Sequence, residues 1–127
     1  MSQGDGASCP VLIVEDDDDL RGLLRETIEA TGHGVITAAD GREALDVLSE
    51  GARPCLVLLD LMMPVMSGWE VLDALRRSGA LDALPVVVVS AAARLGDALV
   101  GARGLLRKPV EVERLLATVE MHCPHAA

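Results

Sequence analysis

Aromatic side chains are almost absent from this chain, which has one tryptophan, Trp69, and no phenylalanine or tyrosine. Half of its residues are apolar, so Leu, Val, Ala and Met must fill the interior. Long hydrophobic runs are missing as well. The longest apolar stretch, Cys55–Met66, is interrupted by Asp60 and Pro64 and falls short of the roughly 20 residues of a membrane span. The opening MSQGDGASCP lacks the basic and apolar parts of a signal peptide, so a cytoplasmic address is expected. Basic residues are scarce: 11 Lys and Arg against 20 Asp and Glu give a formal charge of -9, and Lys108 is the only lysine. Nucleic acid backbones need clustered cations, so direct nucleic acid binding by this domain is not expected. Cys9, Cys55 and Cys123 form neither a metal pattern nor an even set, and no disulfide framework is implied. Cys55 reads as a small buried strand residue, and the other two fall in expected tails.

What remains is a regular alternation of strand and helix. Continuous apolar runs at Val11–Val14, Cys55–Leu59 and Val86–Val89 suit strands buried on both faces. Val35–Ala38 and Leu105–Arg107 complete a set of five. Helices are expected between them. The first is capped by Asp18 or Asp19 and carries Leu20, Leu23, Leu24 and Ile28; the second, capped by Asp40, carries Ala44, Leu45, Val47 and Leu48. A third runs from about Gly68 to Arg77, and a weak one lies around Leu95–Ala102, diluted by Gly96 and Gly101. The last starts at Pro109, with Val112, Leu115, Leu116 and Val119 as its buried stripe. Five βα units in 127 residues make one domain over 10–121, with flexible tails at 1–9 and 122–127. The expected fold is α/β: a flavodoxin-like (βα)5 doubly wound sandwich around a parallel five-stranded sheet of order 2-1-3-4-5.

The ends of the apolar runs carry the chemistry. The first stops at Glu15 and Asp16, the third strand at Asp60, the fourth at Ser90, and the fifth runs into Lys108. Carboxyl ends of parallel strands share one edge of an open sheet, so these groups should converge. Three carboxylates, a hydroxyl and an ammonium suit a divalent metal beside a phosphoryl group. A carboxylate attacking phosphorus builds negative charge on the equatorial oxygens, which a metal and a cation take up. Mg²⁺ prefers oxygen ligands and keeps several waters, so one or two direct carboxylates suffice. Asp17, Asp18 and Asp19 read as capping and solvated face, and Met62, Met63 and Met66 as loop packing. His33, His122 and His125 have no metal-like spacing and are not expected to act as phosphodonors.

The chain resembles the receiver domains of bacterial two-component response regulators. Over residues 10–121 the resemblance rests on the Glu15-Asp16 strand end, the stretch from Asp60 through Pro64 to Gly68, the Ser90-Ala91 strand end, and Lys108-Pro109. It implies that Asp60 is the phosphoacceptor. It also implies a Mg²⁺ or Mn²⁺ site made by Asp16, Asp60, the Met62 backbone carbonyl and, through water or at the rim, Glu15. Lys108 and Ala91 would bind the phosphoryl group, Ser90 would be the switch hydroxyl, and the Lys108-Pro109 bond would be cis. Pro64 would stiffen the loop, and Gly68 would permit positive φ. A sensor histidine kinase or phosphotransfer protein would be the donor, and a downstream partner or output domain the receiver of the signal. No membrane partner is implied. Leu105 stands where the family usually carries an aromatic, and the stretch from Ser90 to Lys108 is about one helical turn short. Two other readings compete. One is a phosphorylation-independent binding module. The other is a phosphohydrolase of the haloacid dehalogenase type, which would need an aspartate where Met62 stands.

Overall fold

The computed structural model describes residues 9–92 and 101–124. Five parallel strands, β1 (Val11–Val14), β2 (Val35–Ala38), β3 (Leu56–Asp60), β4 (Val86–Ser90) and β5 (Gly104–Arg107), form one sheet. Its order is β2-β1-β3-β4-β5, the doubly wound order expected from the sequence. Among the described residues there are helices α1 (Asp18–Glu29), α2 (Gly41–Ser49), α3 (Gly68–Ser78) and α4 (Val112–His122), and a 3₁₀ turn at Ala80–Asp82.

Alternation along the buried strands divides the core in two. Leu12, Val14, Val57, Leu59, Val86 and Val88 face α3, through Val71, Leu72 and Leu75. Val11, Ile13, Leu56, Leu58, Val87 and Val89 face Leu24 and Ile28 of α1 and Leu115 and Val119 of α4. Both faces are covered, which is why the central strands read as unbroken apolar runs rather than alternating ones. Trp69 takes little part in this packing, being 39% exposed.

Several boundaries move from the sequence reading. Asp60 and Ser90 are the last residues of β3 and β4 rather than the residues after them, and Cys55 precedes β3. The cap of α1 is Asp17, whose side chain accepts from the N–H groups of Asp19 and Leu20. Five acids in a row left the choice open. The last helix begins at Val112, which is exposed, not at Pro109. It continues through His122, and Cys123 is buried, so ordered structure extends into the expected tail. The weak helix expected around Leu95–Ala102 lies outside the described residues over 95–100. Gly101 sits in a turn with φ 87°.

A disulfide joins Cys55 to Cys123, with a Cα–Cα separation of 5.6 Å, and corrects the expectation of unpaired cysteines. The two lie 68 positions apart, so spacing carried no sign of the pair. They meet because β3 starts and α4 ends at the same edge of the sheet. His33, expected only to occupy a turn, is buried there. Its Nε2 lies 2.7 Å from the Cys123 carbonyl and its Nδ1 2.8 Å from Thr31 Oγ1.

Candidate functional site

Strand register brings the reactive groups together at the opposite edge. Val14 pairs with Leu59, so Glu15 follows beside Asp60; Asp60 pairs with Val89, and Ser90 pairs with Arg107, one residue before Lys108. Three neighbouring strand pairs thus assemble a pocket from residues 15, 60, 90 and 108. Carboxylate oxygens of Glu15, Asp16 and Asp60 lie within 4.8 Å of one another. Lys108 Nζ is 3.0 Å from Glu15 Oε1 and 3.4 Å from Asp60 Oδ1. The Lys108-Pro109 peptide is cis.

The cluster carries more negative charge than its one ammonium offsets. Glu15 and Asp60 are both buried, and loss of hydration pushes both carboxyls above their usual range. Lys108 pulls each of them back only in part, and Met62 N–H assists at Asp60 Oδ1, 3.4 Å away. Burial alone would lower the lysine, but the Glu15 hydrogen bond and the Asp60 charge outweigh it and hold Lys108 above the ordinary lysine value. Glu15 is the deep carboxylate, not one at the rim. Its Oε2 accepts from Asp17 N–H at 3.1 Å, while its buried Oε1 is held by Lys108 Nζ at 3.0 Å. Three clustered carboxylates that share a single ammonium are the oxygen donor set a hard divalent cation seeks.

The β3–α3 loop is shaped by backbone contacts. Gly68 N–H donates to the Leu61 carbonyl at 2.9 Å, and Gly41 N–H to the Met66 carbonyl at 3.2 Å. Gly68 is not at positive φ, contrary to the sequence reading. It is required because a Cβ there would stand 2.3 Å from the Asp60 carbonyl oxygen and 2.7 Å from Leu61 Cα. The residue at positive φ is Val65, at 69°. Met66 N–H donates to the Pro64 carbonyl at 2.7 Å across it, which makes a γ-turn centred on a β-branched residue. Met63 is buried and Met66 packs on the core, whereas Met62 is 66% exposed and not loop packing.

On the far side of the pocket, Ser90 Oγ accepts from Ala92 N–H at 3.0 Å, and the Ser90 carbonyl accepts from Lys108 N–H at 3.1 Å. Leu105 packs against the core on the α3 face. Arg21, which the sequence reading passed over, donates from Nη1 to the Glu15 carbonyl at 2.9 Å and pairs with Asp18. It fixes the start of α1 against the acid cluster. An arginine one turn into a helix after five acids was the available signal.

The model for the response regulator receiver domain matches residues 11–120. Response regulator MprA of Mycolicibacterium vanbaalenii is 41% identical over 111 residues, 84% of this chain and 47% of MprA. The polar-differentiation response regulator DivK of Brucella anthropi is 37% identical over 116 residues, 88% of this chain and 94% of DivK. The chain thus spans about half the length of MprA and nearly all of DivK. The crystal structure of response regulator TrrA from Thermotoga maritima, in complex with Mg²⁺ and beryllofluoride, superposes with a TM-score of 0.78. The two are 27% identical, over 89% of this chain and 97% of that one. With this fold, this strand order and this acid cluster, the chain belongs to the response regulator receiver domain family, the phosphorelay switches of two-component signalling.

Proposed function

We propose that Asp60 is the phosphoacceptor of this domain and that the donor is the phosphohistidine of a sensor kinase or phosphotransfer protein. The observation that carries this reading is the position of Asp60: buried, on the central strand, within reach of one lysine and two further acids. An Asp60 carboxylate oxygen attacks phosphorus as the bond to the donor nitrogen breaks, leaving an acyl phosphate on Asp60 and a donor imidazole whose released nitrogen takes up a proton from solvent. Lys108 meets the charge developing on the phosphoryl oxygens, and the Ala91 N–H and Ser90 hydroxyl bind the transferred group. Ser90 exchanges its bond from Ala92 N–H for one to the phosphoryl group, which pulls the β4 end inward.

The acid cluster fits Mg²⁺, and Mn²⁺ by the same oxygen preference. Asp16, Asp60 and the Met62 carbonyl would hold the ion, with Glu15 acting through water. When bound, the metal supplies neutralisation of the carboxylate and phosphoryl charge. A cytoplasmic location and a downstream partner or output domain complete the proposed role. The domain acts as a switch rather than an enzyme on an external substrate, and no carboxylate stands at Met62 to serve a phosphohydrolase.

Mg²⁺-dependent binding of beryllofluoride, followed by fluorescence of the sole tryptophan, tests this reading. Trp69 adjoins Gly68, which packs on the Asp60 backbone. Asp16→Ala is expected to weaken the response at least tenfold, and Asp18→Ala to leave it within about twofold, since a tenfold change is about 1.4 kcal/mol. Equal behaviour of the two variants would refute the ligand assignment.

A further inference from the structure

At the edge of the sheet opposite the phosphorylation site, Cys55 and Cys123 form a pair that no step above uses. We propose that this pair is a reversible thiol–disulfide modification site, a redox latch on the C-terminal end of α4. The bond joins the residue before β3 to the residue after α4, with Cα atoms 5.6 Å apart, within the range native disulfides adopt.

The surroundings serve both redox states. Cys55 Sγ lies 3.2 Å from the Cys9 carbonyl and 3.7 Å from the Pro10 carbonyl. A disulfide sulfur has no proton to donate, so these acceptors are used only when Cys55 is a thiol. Reduction therefore leaves Cys55 with a partner already in place. Cys123 is held independently of its sulfur: its N–H donates to the Val119 carbonyl at 2.7 Å, and its carbonyl is 2.7 Å from His33 Nε2. The two thiols consequently stay near each other after the bond opens, the condition for closing it again without refolding. Access is asymmetric. Cys55 is half-buried and Cys123 buried, so an incoming thiolate attacks Cys55 and Cys123 leaves.

The reaction balances with an external thiol–disulfide couple. A dithiol delivers two electrons and two protons, the Cys55–Cys123 bond becomes two thiols, and the dithiol departs as its own disulfide. Oxidised glutathione drives the reverse. In a glutathione-buffered compartment such a pair reports redox state, whereas in an oxidising one it is a permanent staple. The consequence for the fold is confined to α4. Its buried residues Leu115 and Val119 pack on β1, β3 and β4, and the bond tethers the helix end beyond them. Asp60 ends the strand that Cys55 precedes, so the latch and the phosphoacceptor sit at opposite ends of β3.

The test uses the full 127-residue chain in buffers of graded reduced to oxidised glutathione. Free thiols are alkylated and counted by mass, linked peptides are mapped, and the thermal midpoint is followed by circular dichroism. Three alkylated cysteines are expected in the reduced form, and Cys9 alone in the oxidised form, with a peptide joining residues 55 and 123. Closing a loop of this length is expected to raise the midpoint by about 15 °C. Hydrogen exchange at residues 121–124 slows in the oxidised form, and phosphorylation at Asp60 changes by less than about twofold. Cys9→Ser should show two alkylated cysteines when reduced and none when oxidised, with the same linked peptide and midpoint shift, which separates the pair from mixed disulfides at the exposed thiol. Three free thiols at every ratio would overturn the proposal, as would linkage through Cys9 or a bond that opens only after denaturation. Thiol counts do not depend on Asp60, so failure of phosphorylation leaves them intact, and the reverse also holds.

Discussion

Val65 is the place where the backbone is bent against its residue type, and relaxing it should stabilise the protein. The φ of 69° closes a γ-turn through the 2.7 Å bond from Met66 N–H to the Pro64 carbonyl, a conformation that crowds any Cβ. Strain of this kind costs about 1–3 kcal/mol. The Val65 side chain is 81% exposed, so its removal gives up little burial. Val65→Gly recovers the strain less the extra backbone entropy of glycine, about 0.5–1 kcal/mol, for a net gain near ~1 kcal/mol. Unfolding entropy of about 2.1 cal/mol/K per residue makes each kcal/mol worth about 4 °C in a chain of 127 residues. Val65→Asn should gain a similar amount, because asparagine tolerates positive φ and keeps its side chain. Val65→Ala retains the Cβ and should move the midpoint by less than about 2 °C. Thermal and urea unfolding at one fixed redox state measure all three, with the urea slope unchanged if only the folded state is relieved. A fall in stability for both Gly and Asn would refute the strain argument.

Gly68→Ala places a methyl group on the Asp60 backbone and should destabilise by about 1–3 kcal/mol while reducing phosphorylation; an unchanged urea midpoint would contradict the close approach. Burial raises the Asp60 carboxyl in the folded state, so between its ordinary and raised values the native protein binds more protons than the unfolded chain. The ionised group therefore lowers stability above the raised value and has no effect below the ordinary one. Asp60→Asn should accordingly raise the thermal midpoint at pH 7, with a difference from wild type that shrinks as pH falls through the carboxylate range. A destabilised Asn variant at pH 7 would reverse the sign.

Much of this was legible in the sequence because the fold writes its site at strand ends. Glu15, Asp60 and Ser90 each close an apolar run, Lys108 follows the fifth strand, and strand order does the rest. What escaped were contacts set by three-dimensional closeness. Gly68 was read as a torsional device, yet its role is to let α3 touch the Asp60 backbone, which no local pattern records. Val65 offers no sequence sign of positive φ, since β-branched residues avoid it and only the loop around it imposes it. Cys55 and Cys123 are joined by the winding of the whole domain, and the short tail expected after residue 121 hid the second of them. Val112 shows that helical spacing alone does not bury a residue. It opens α4 with its side chain exposed, while Leu115 and Val119 of the same helix are buried.

The central claim is that phosphoryl transfer ends on Asp60, and intact-protein and peptide mass spectrometry after incubation with acetyl phosphate and Mg²⁺ tests it most directly. The account predicts one added phosphoryl group, located on the peptide containing Asp60, dependent on the metal and absent from Asp60→Asn. A phosphoryl group that persists in the Asn variant, or that maps to another residue, would contradict it.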